Sequence, residues 1–219
     1  AIKKEVEALS GEFEQEEPVI PLVEISLTSI EKDELLRKNI VGNEHSSVSD
    51  LYTKLGNSDW VKQGLSFLPE HIQPSGDQCP FCQQKTITIE LKNAIEEFFD
   101  ESYERDITAL NRLGESYSNT VSSIPAKASY RANRFIQDAH GDFENVYHKL
   151  FSVIEDNKKL IEQKKQFPSR PIDLKDTTAL LKEFNAFLRR MNADIEVHNQ
   201  KIRNRAATLK SLKDEFWAI

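Results

Sequence analysis

The sequence predicts a mainly α fold, with long antiparallel helices forming a coiled-coil bundle and a small mixed N-terminal subdomain ahead of them. Three observations carry that expectation. Hydrophobic residues make up 38% of the 219 and charged residues 30%, a balance that falls short of the roughly 45–50% apolar content of ordinary domains and suits helices burying one narrow stripe. Seven glycines are too few to supply the tight turns of a many-stranded fold. From Thr88 onward, apolar residues recur three and four apart over about 130 residues, the spacing that lines one face of a helix.

Taken in order, residues 1–17 are rich in Glu and Lys and read as helical up to Pro18, which cannot continue a helix. Val19 to Leu27 is β-branched and interrupted by Pro21, so it reads as an extended segment or edge strand. Two short helices follow, one after Thr28 or Ser29 through Leu35 and Leu36, the other capped near Ser47 or Ser49 through Leu51 and Leu55. Gly56-Asn57-Ser58-Asp59 then turns into Trp60-Val61-Lys62-Gln63-Gly64. The expected division is a small mixed subdomain over residues 1–86, ending just past a Cys-Pro-Phe-Cys motif, and an antiparallel three-helix coiled coil over 87–219.

Within the coiled coil, the first helix is expected from about Thr88 to Ser123, with Pro125 ending it. The second, about Ala126 to Gln166, places Ala132, Ile136, Ala139, Phe143, Val146, Leu150, Val153, Asn157 and Leu160 in alternating steps of four and three, a coiled-coil seam. A third begins near Asp173, a plausible N-cap after two prolines, and keeps its register from Leu174 through Leu181, Phe184, Leu188, Met191, Ile195, His198, Ile202 and Leu209 to Phe216. Connectors as short as 123–127 and 167–172 make the neighbours antiparallel, and place the 167–172 turn at the same end as the cysteines.

Charge and hydropathy narrow the function classes. The net charge of −7 is spread over interspersed residues, and the one basic stretch, Arg189 to Arg205, is diluted by Asp194 and Glu196. It reads as a solvated face, so nucleic acid is not an expected partner. No apolar run approaches the roughly 18 residues of a membrane span, and the start lacks the apolar core of a signal peptide. A cytoplasmic protein without membrane contact is expected. Because the sequence starts without Met and stops in mid-pattern, it is also expected to be a piece of a longer chain.

The only two cysteines, Cys79 and Cys82, enclose Pro80 and Phe81. Two thiolates three positions apart can face one tetrahedral zinc ion. Zinc needs four ligands and the chain offers one pair. A second copy can supply another Cys79/Cys82 pair and so form a homodimer, His71 can join, or another part of a parent protein can contribute. An unmetallated or disulfide-forming structural pair is the competing reading. A catalytic redox pair is a third, disfavoured because the preceding Gln73 to Gln78 is polar and turn-forming rather than a buried strand.

Other residues take plainer readings. His198, on the seam, sets register rather than binding metal; His140 and His148 fall on a wet face, and His45 in a loop. Trp60 and Phe81 pack the small subdomain against the bundle. Glu96, Glu97, Asp100 and Glu101 form an acidic run on an early helical turn, where they favour the helix dipole. No nucleophile, base and orienter assemble from these residues.

Trp60 to Gly64, then Cys79-Pro80-Phe81-Cys82-Gln83-Gln84, then Phe98-Phe99-Asp100 and Tyr103 resemble the insertion in a family of bacterial ABC-type AAA ATPases. That family includes the RloC and PrrC anticodon nucleases and other phage-defence ATPases. The similarity covers about residues 58–104. It implies a coiled-coil arm between the two halves of a nucleotide-binding head, serving dimerisation or sensing, with Cys79 and Cys82 in the place of a zinc hook. Two features depart from the family pattern: a long helix lies only downstream of the cysteines, and no GxxxxGK[ST] loop is present to wrap phosphates. The chain is therefore expected to be no enzyme itself, with ATP bound only elsewhere in the parent protein. The alternative expectation is a helical protein-interaction scaffold whose cysteines are structural and metal-free.

Overall fold

The structure, a computed structural model, describes residues 15–43, 46–80 and 82–217. The expected helix at 1–17 falls almost wholly outside the described residues, as do His45 and Phe81. The fold is mainly α, as the sequence predicts. The only strands among the described residues are β1 (Asp77–Gln78) and β2 (Lys85–Ile87), an antiparallel pair with Asp77 opposite Ile87.

The chain divides into two compact units. One takes in Ala1–Ile25, Ser122–Ser152 and Thr177–Ile219; the other takes in Ser26–Val121 and Val153–Asp176. The 86/87 division of the sequence lies inside the second of these. Each unit is assembled from segments distant in sequence, because the antiparallel helices fold back on one another.

In the first unit, helix α9 (His140–Gln166) contributes its opening half and α10 (Thr178–Trp217) packs against it. Ion pairs between Lys149 and Glu183 and between Arg190 and Asp142 show the two running antiparallel. Between them lie the buried Phe143, Leu150, Phe184, Leu188, Met191 and Ile195. The second expected helix is not continuous from Ala126. It is broken into α7 (Lys127–Arg131), α8 (Arg134–Asp138) and α9, and Asn133 explains the first break. Its Oδ1 accepts from Phe135 N–H as an N-cap while its Nδ2 donates to Pro18 C=O, the capping role for which Asn is favoured over helix interior. Tyr130 on α7 still reaches the core, meeting Phe184 edge to face at 5.6 Å. Glu144 ties α7 to α9: hydrogen bonds from Lys127 and Arg131 hold its carboxyl down to about 2.

Residues 15–25 form no strand. They run extended and antiparallel to α10, and three of its asparagines hold them. Asn185 accepts from Val23 N–H and donates to Val23 C=O; Asn192 does the same to Ile20, and Asn199 to Glu17, all at 2.8–2.9 Å. The asparagines are seven apart on the helix and their targets three apart on the strap. The two spacings match, since seven helical residues rise about 10.5 Å and three residues of a polyproline-like extended chain about 9.3 Å. A three-residue repeat also turns the same side of the strap inward, so Ile20 and Val23 are buried while Val19, Pro21 and Glu24 face water.

The second unit begins with two single-turn helices, α1 (Thr28–Glu31) and α2 (Glu34–Arg37), then α3 (Ser49–Leu55) and α4 (Ser58–Leu65). After the hairpin come α5 (Ile89–Phe98) and α6 (Glu101–Ser122). The first expected long helix is thus interrupted at Phe99-Asp100, where Asp100 Oδ1 accepts from the N–H groups of Ser102 and Tyr103 and starts α6 afresh. The acidic run straddles this break, Asp100 capping and Glu101 in the first turn of α6, while Glu96 and Glu97 sit near the end of α5. The freed Phe98 C=O accepts from Asn43 N–H at 2.6 Å. Gly42 is required beside it, because a Cβ there would collide with the Phe98 ring and its carbonyl.

Helix α6 runs antiparallel to the second half of α9. At Gly114 the helices come close, since a Cβ would lie 3.1 Å from Ile161 and 2.7 Å from Lys165. The third expected helix starts at Thr178 rather than near Asp173. Residues 172–176 are instead extended, with Ile172 N–H on Leu36 C=O and Asp173 paired to Arg37. Ile172 and Leu174 pack against the core formed by Leu36, Ile40, Tyr52, Phe98, Phe99 and Leu110.

Replacing Asn192 by Ala leaves the half-buried N–H and C=O of Ile20 without partners. It is expected to destabilise the protein by about 1–3 kcal/mol, read as a lowered urea midpoint. Faster hydrogen exchange at the Ile20 amide, with α10 amides less affected, locates the loss in the strap.

Candidate functional site

Cys79 and Cys82 sit in the turn of the β1–β2 hairpin. Cys79 N–H donates to Gln84 C=O at 2.7 Å and Gln83 N–H returns to Cys79 C=O at 2.9 Å, closing the chain on itself. Gln83 takes the left-handed conformation, φ 60°, uncommon for a residue with a Cβ, and its side chain donates to Pro80 C=O. Gln78 Nε2 donates to Gln83 C=O. A two-stranded hairpin is weak alone, and these bonds fix the turn locally. Cys79 is half-buried, Cys82 is exposed, and neither is in a disulfide.

No group of three or more His, Cys, Asp or Glu side chains placed to hold one ion occurs among the described residues. His71, exposed ahead of the hairpin, does not complete a set with the two thiols. His198 packs against Phe135 at 5.6 Å on the first unit, in keeping with a seam residue. Trp60 is 48% exposed, so it is not packed away as the sequence reading expected. The basic stretch is a surface, with Arg190 paired to Asp142 and Arg203 to Glu16 and Glu196.

Sequence reasoning missed a second set of polar groups, buried in the second unit. Lys164 on α9 is fully buried, and its Nζ donates to three backbone carbonyls: Lys38 at 2.5 Å, Pro168 at 2.6 Å and Arg170 at 2.8 Å. Burial pushes its amine down to about 8, against the opposing pull of Asp59. Asp59, also buried, accepts from the N–H and the hydroxyl of Ser169 at 3.2 and 2.6 Å. One turn pair earlier, buried Asn157 accepts from Lys175 N–H and donates to Lys175 C=O. Its Nδ2 also lies within 3.2 Å of the Tyr117 hydroxyl. The seven-residue step from Asn157 to Lys164 was the available signal, two polar residues on a helix whose neighbours at three and four are apolar.

These features define a helical protein that presents a paired-thiol turn and closes its loops with buried polar side chains. A family model described as AAA domain matches residues 1–219, and the chain belongs to that family of AAA-type ATPase-related proteins. No curated protein matches the sequence, and no solved structure matches it. Among the described residues no helix is long and apolar enough to cross a membrane.

Replacing Lys164 by Met leaves three carbonyls unpaired in the interior and is expected to destabilise by about 3 kcal/mol, measured by chemical denaturation. The pH dependence carries a sign. With the amine lowered from 10.5 to about 8 in the folded chain, the unfolded chain binds more protons between those values, so stability rises with pH above 8. The buried hydroxyls of Tyr103, Tyr117 and Tyr130 are raised to about 12, so above pH 10 the folded state holds the extra protons and stability falls. Lys164→Met should abolish the rise and keep the fall.

Proposed function

We propose that this chain is a coiled-coil insertion arm of a bacterial ABC-type ATPase of the RloC and PrrC kind, acting in dimerisation or sensing, with Cys79 and Cys82 as ligands to a zinc ion shared between two copies. The observation that carries the reading is the turn that holds two thiols, one half-buried and one exposed, with no third ligand gathered beside them among the described residues. Two such turns meeting face to face supply four sulfurs, the closed tetrahedral set of a structural zinc site. A zinc ion held there by the four sulfurs would join the copies through metal rather than through buried area. Long antiparallel helices suit an arm, since they carry a tip far from a head at little cost in core residues.

The family match supports the ATPase context, and the absence of a GxxxxGK[ST] sequence supports placing nucleotide chemistry elsewhere in the parent protein. The phage-defence setting rests on the resemblance over residues 58–104 alone. A second reading, a scaffold for another protein with structural cysteines, is favoured by the apolar side chains that the second unit leaves in water, Leu51, Leu55, Trp60 and Phe67.

Zinc content and molecular mass, measured together with and without a chelator, decide between them. The arm reading expects about one zinc per two chains, a dimer that becomes monomeric on chelation, and loss of both metal and dimer in Cys79→Ser. A metal-free monomer, with Cys79→Ser unchanged in mass, would end the zinc reading and leave the scaffold.

A further inference from the structure

The bonds within the cysteine turn fix its tip, but the ribbon beneath the tip buries little. Of β1 and β2 only Ile87 is buried, and Cys82 through Thr86 are exposed throughout. A two-stranded ribbon without an apolar face has no packing to set its direction. Its direction must come from its two legs.

Lys92 joins those legs. The chain enters the hairpin by way of Pro69 and Glu70 and leaves it from β2 into α5, where Thr88 Oγ1 caps the helix by accepting from Leu91 N–H. One turn into α5, Lys92 Nζ donates to Glu70 C=O at 2.8 Å and to Pro69 C=O at 3.4 Å. These carbonyls lie 22 and 23 residues back in the chain, and the segment so closed contains both strands and both thiols. The Lys92 side chain is 17% exposed, and the carboxylate on the next turn, Glu96, stays 3.8 Å away, too far for a hydrogen bond. The ammonium is thus committed to the entry leg. The start of that leg is fixed as well. Lys62 of α4 pairs with Glu104 of α6 at 2.6 Å, and its Nζ lies 4.8 and 5.1 Å from the ring centres of Phe99 and Tyr103. The entry leg therefore departs from a helix already seated on α6, and Lys92 sets where it goes next.

We propose that Lys92 is a positioning residue for the paired-thiol turn: by clamping the entry leg to α5, it holds Cys79 and Cys82 in the orientation in which two copies share one zinc ion. The inference rests on the zinc reading above. Hydrogen bonds from an ammonium to carbonyls are charge-assisted, and a ribbon held in advance loses less freedom when it is captured. In a two-fold dimer the same contact occurs on both copies. Loss of the clamp is therefore felt twice, and its effect on the bridged dimer is the square of its effect on one copy.

The test uses the whole chain with zinc as the probe. Zinc affinity is measured by competition with a chromophoric chelator, mass by light scattering, and amide exchange on the chelated protein. Lys92→Met is expected to weaken the zinc-bridged dimer about ten-fold per copy, hence about a hundred-fold between two variant chains and about ten-fold when one wild-type chain is mixed in. Lys92→Arg, which still donates to carbonyls, should keep most of the affinity. Without metal, Lys92→Met should speed amide exchange over residues 69–78, while exchange in α6 and α9 and the urea midpoint stay as in the wild type. A wild type that bridges through zinc and a Lys92→Met variant that bridges equally well would overturn the clamp alone. A fall in the urea midpoint that accounts for the lost affinity would overturn it too, by making Lys92 a residue of general stability. A wild type that takes up no zinc would end the zinc reading and this inference with it.

Discussion

An extended segment lying on a helix has a difficulty that a strand in a sheet does not. Its N–H and C=O groups point toward a surface whose own backbone is already paired, and any that are covered there must still find partners. In this protein the asparagine side chain supplies them. Its amide carries one acceptor and one donor in a plane and matches both groups of a single residue. Asn185, Asn192 and Asn199 do this for Val23, Ile20 and Glu17, and Asn157 does it for Lys175. Burial of Ile20 and Val23, and the seating of 172–176 beside α2, depend on these pairings.

Lys164 extends the same solution to a loop. A turn that crosses the end of a helix presents several carbonyls in one direction, and one ammonium with three protons satisfies two of them, on Pro168 and Arg170, together with the Lys38 carbonyl from the segment beside it. Burying that charge is costly unless the pairing is complete, so the arrangement favours one loop geometry over its neighbours. Its consequence reaches the surface, because the loop so fixed carries the exposed Arg170. The cysteine turn is built in another way, by bonds within its own few residues.

What the sequence made legible follows from range. Helices α6, α9 and α10 are legible because apolar recurrence at three and four is a local property, repeated many times. The Cys79/Cys82 pair was legible as a motif, though not the hairpin turn that carries it, since its closing bonds run between Cys79, Gln83 and Gln84. The breaks at Asn133 and Asp100 were hidden because each sits where a seam or an acidic face is equally plausible, and only the cap hydrogen bonds tell them apart. The extended nature of 19–27 was evident from Pro21 and its β-branched residues. Its partner was not: a strand suggests another strand, and nothing local names Asn192 of a helix 172 residues away. The repeat of asparagine at seven beside prolines at three is the pattern that now makes such a strap readable. The pairing of Asp59 with Ser169 was out of reach for the same reason, since it spans 110 residues of chain.

The strap and its ladder behave like two rulers graduated differently and laid side by side, and that has a consequence for insertions and deletions. Loss of one residue between Glu17 and Val23 would not weaken a single rung. It would displace every rung beyond the cut and turn the side chains that now face inward out to water. Removal of a whole three-residue step, by contrast, would slide the strap to the next asparagine and restore the match. Length variation in this short segment is therefore quantised, and chains sharing the architecture should differ there by threes, accompanied by sevens in α10.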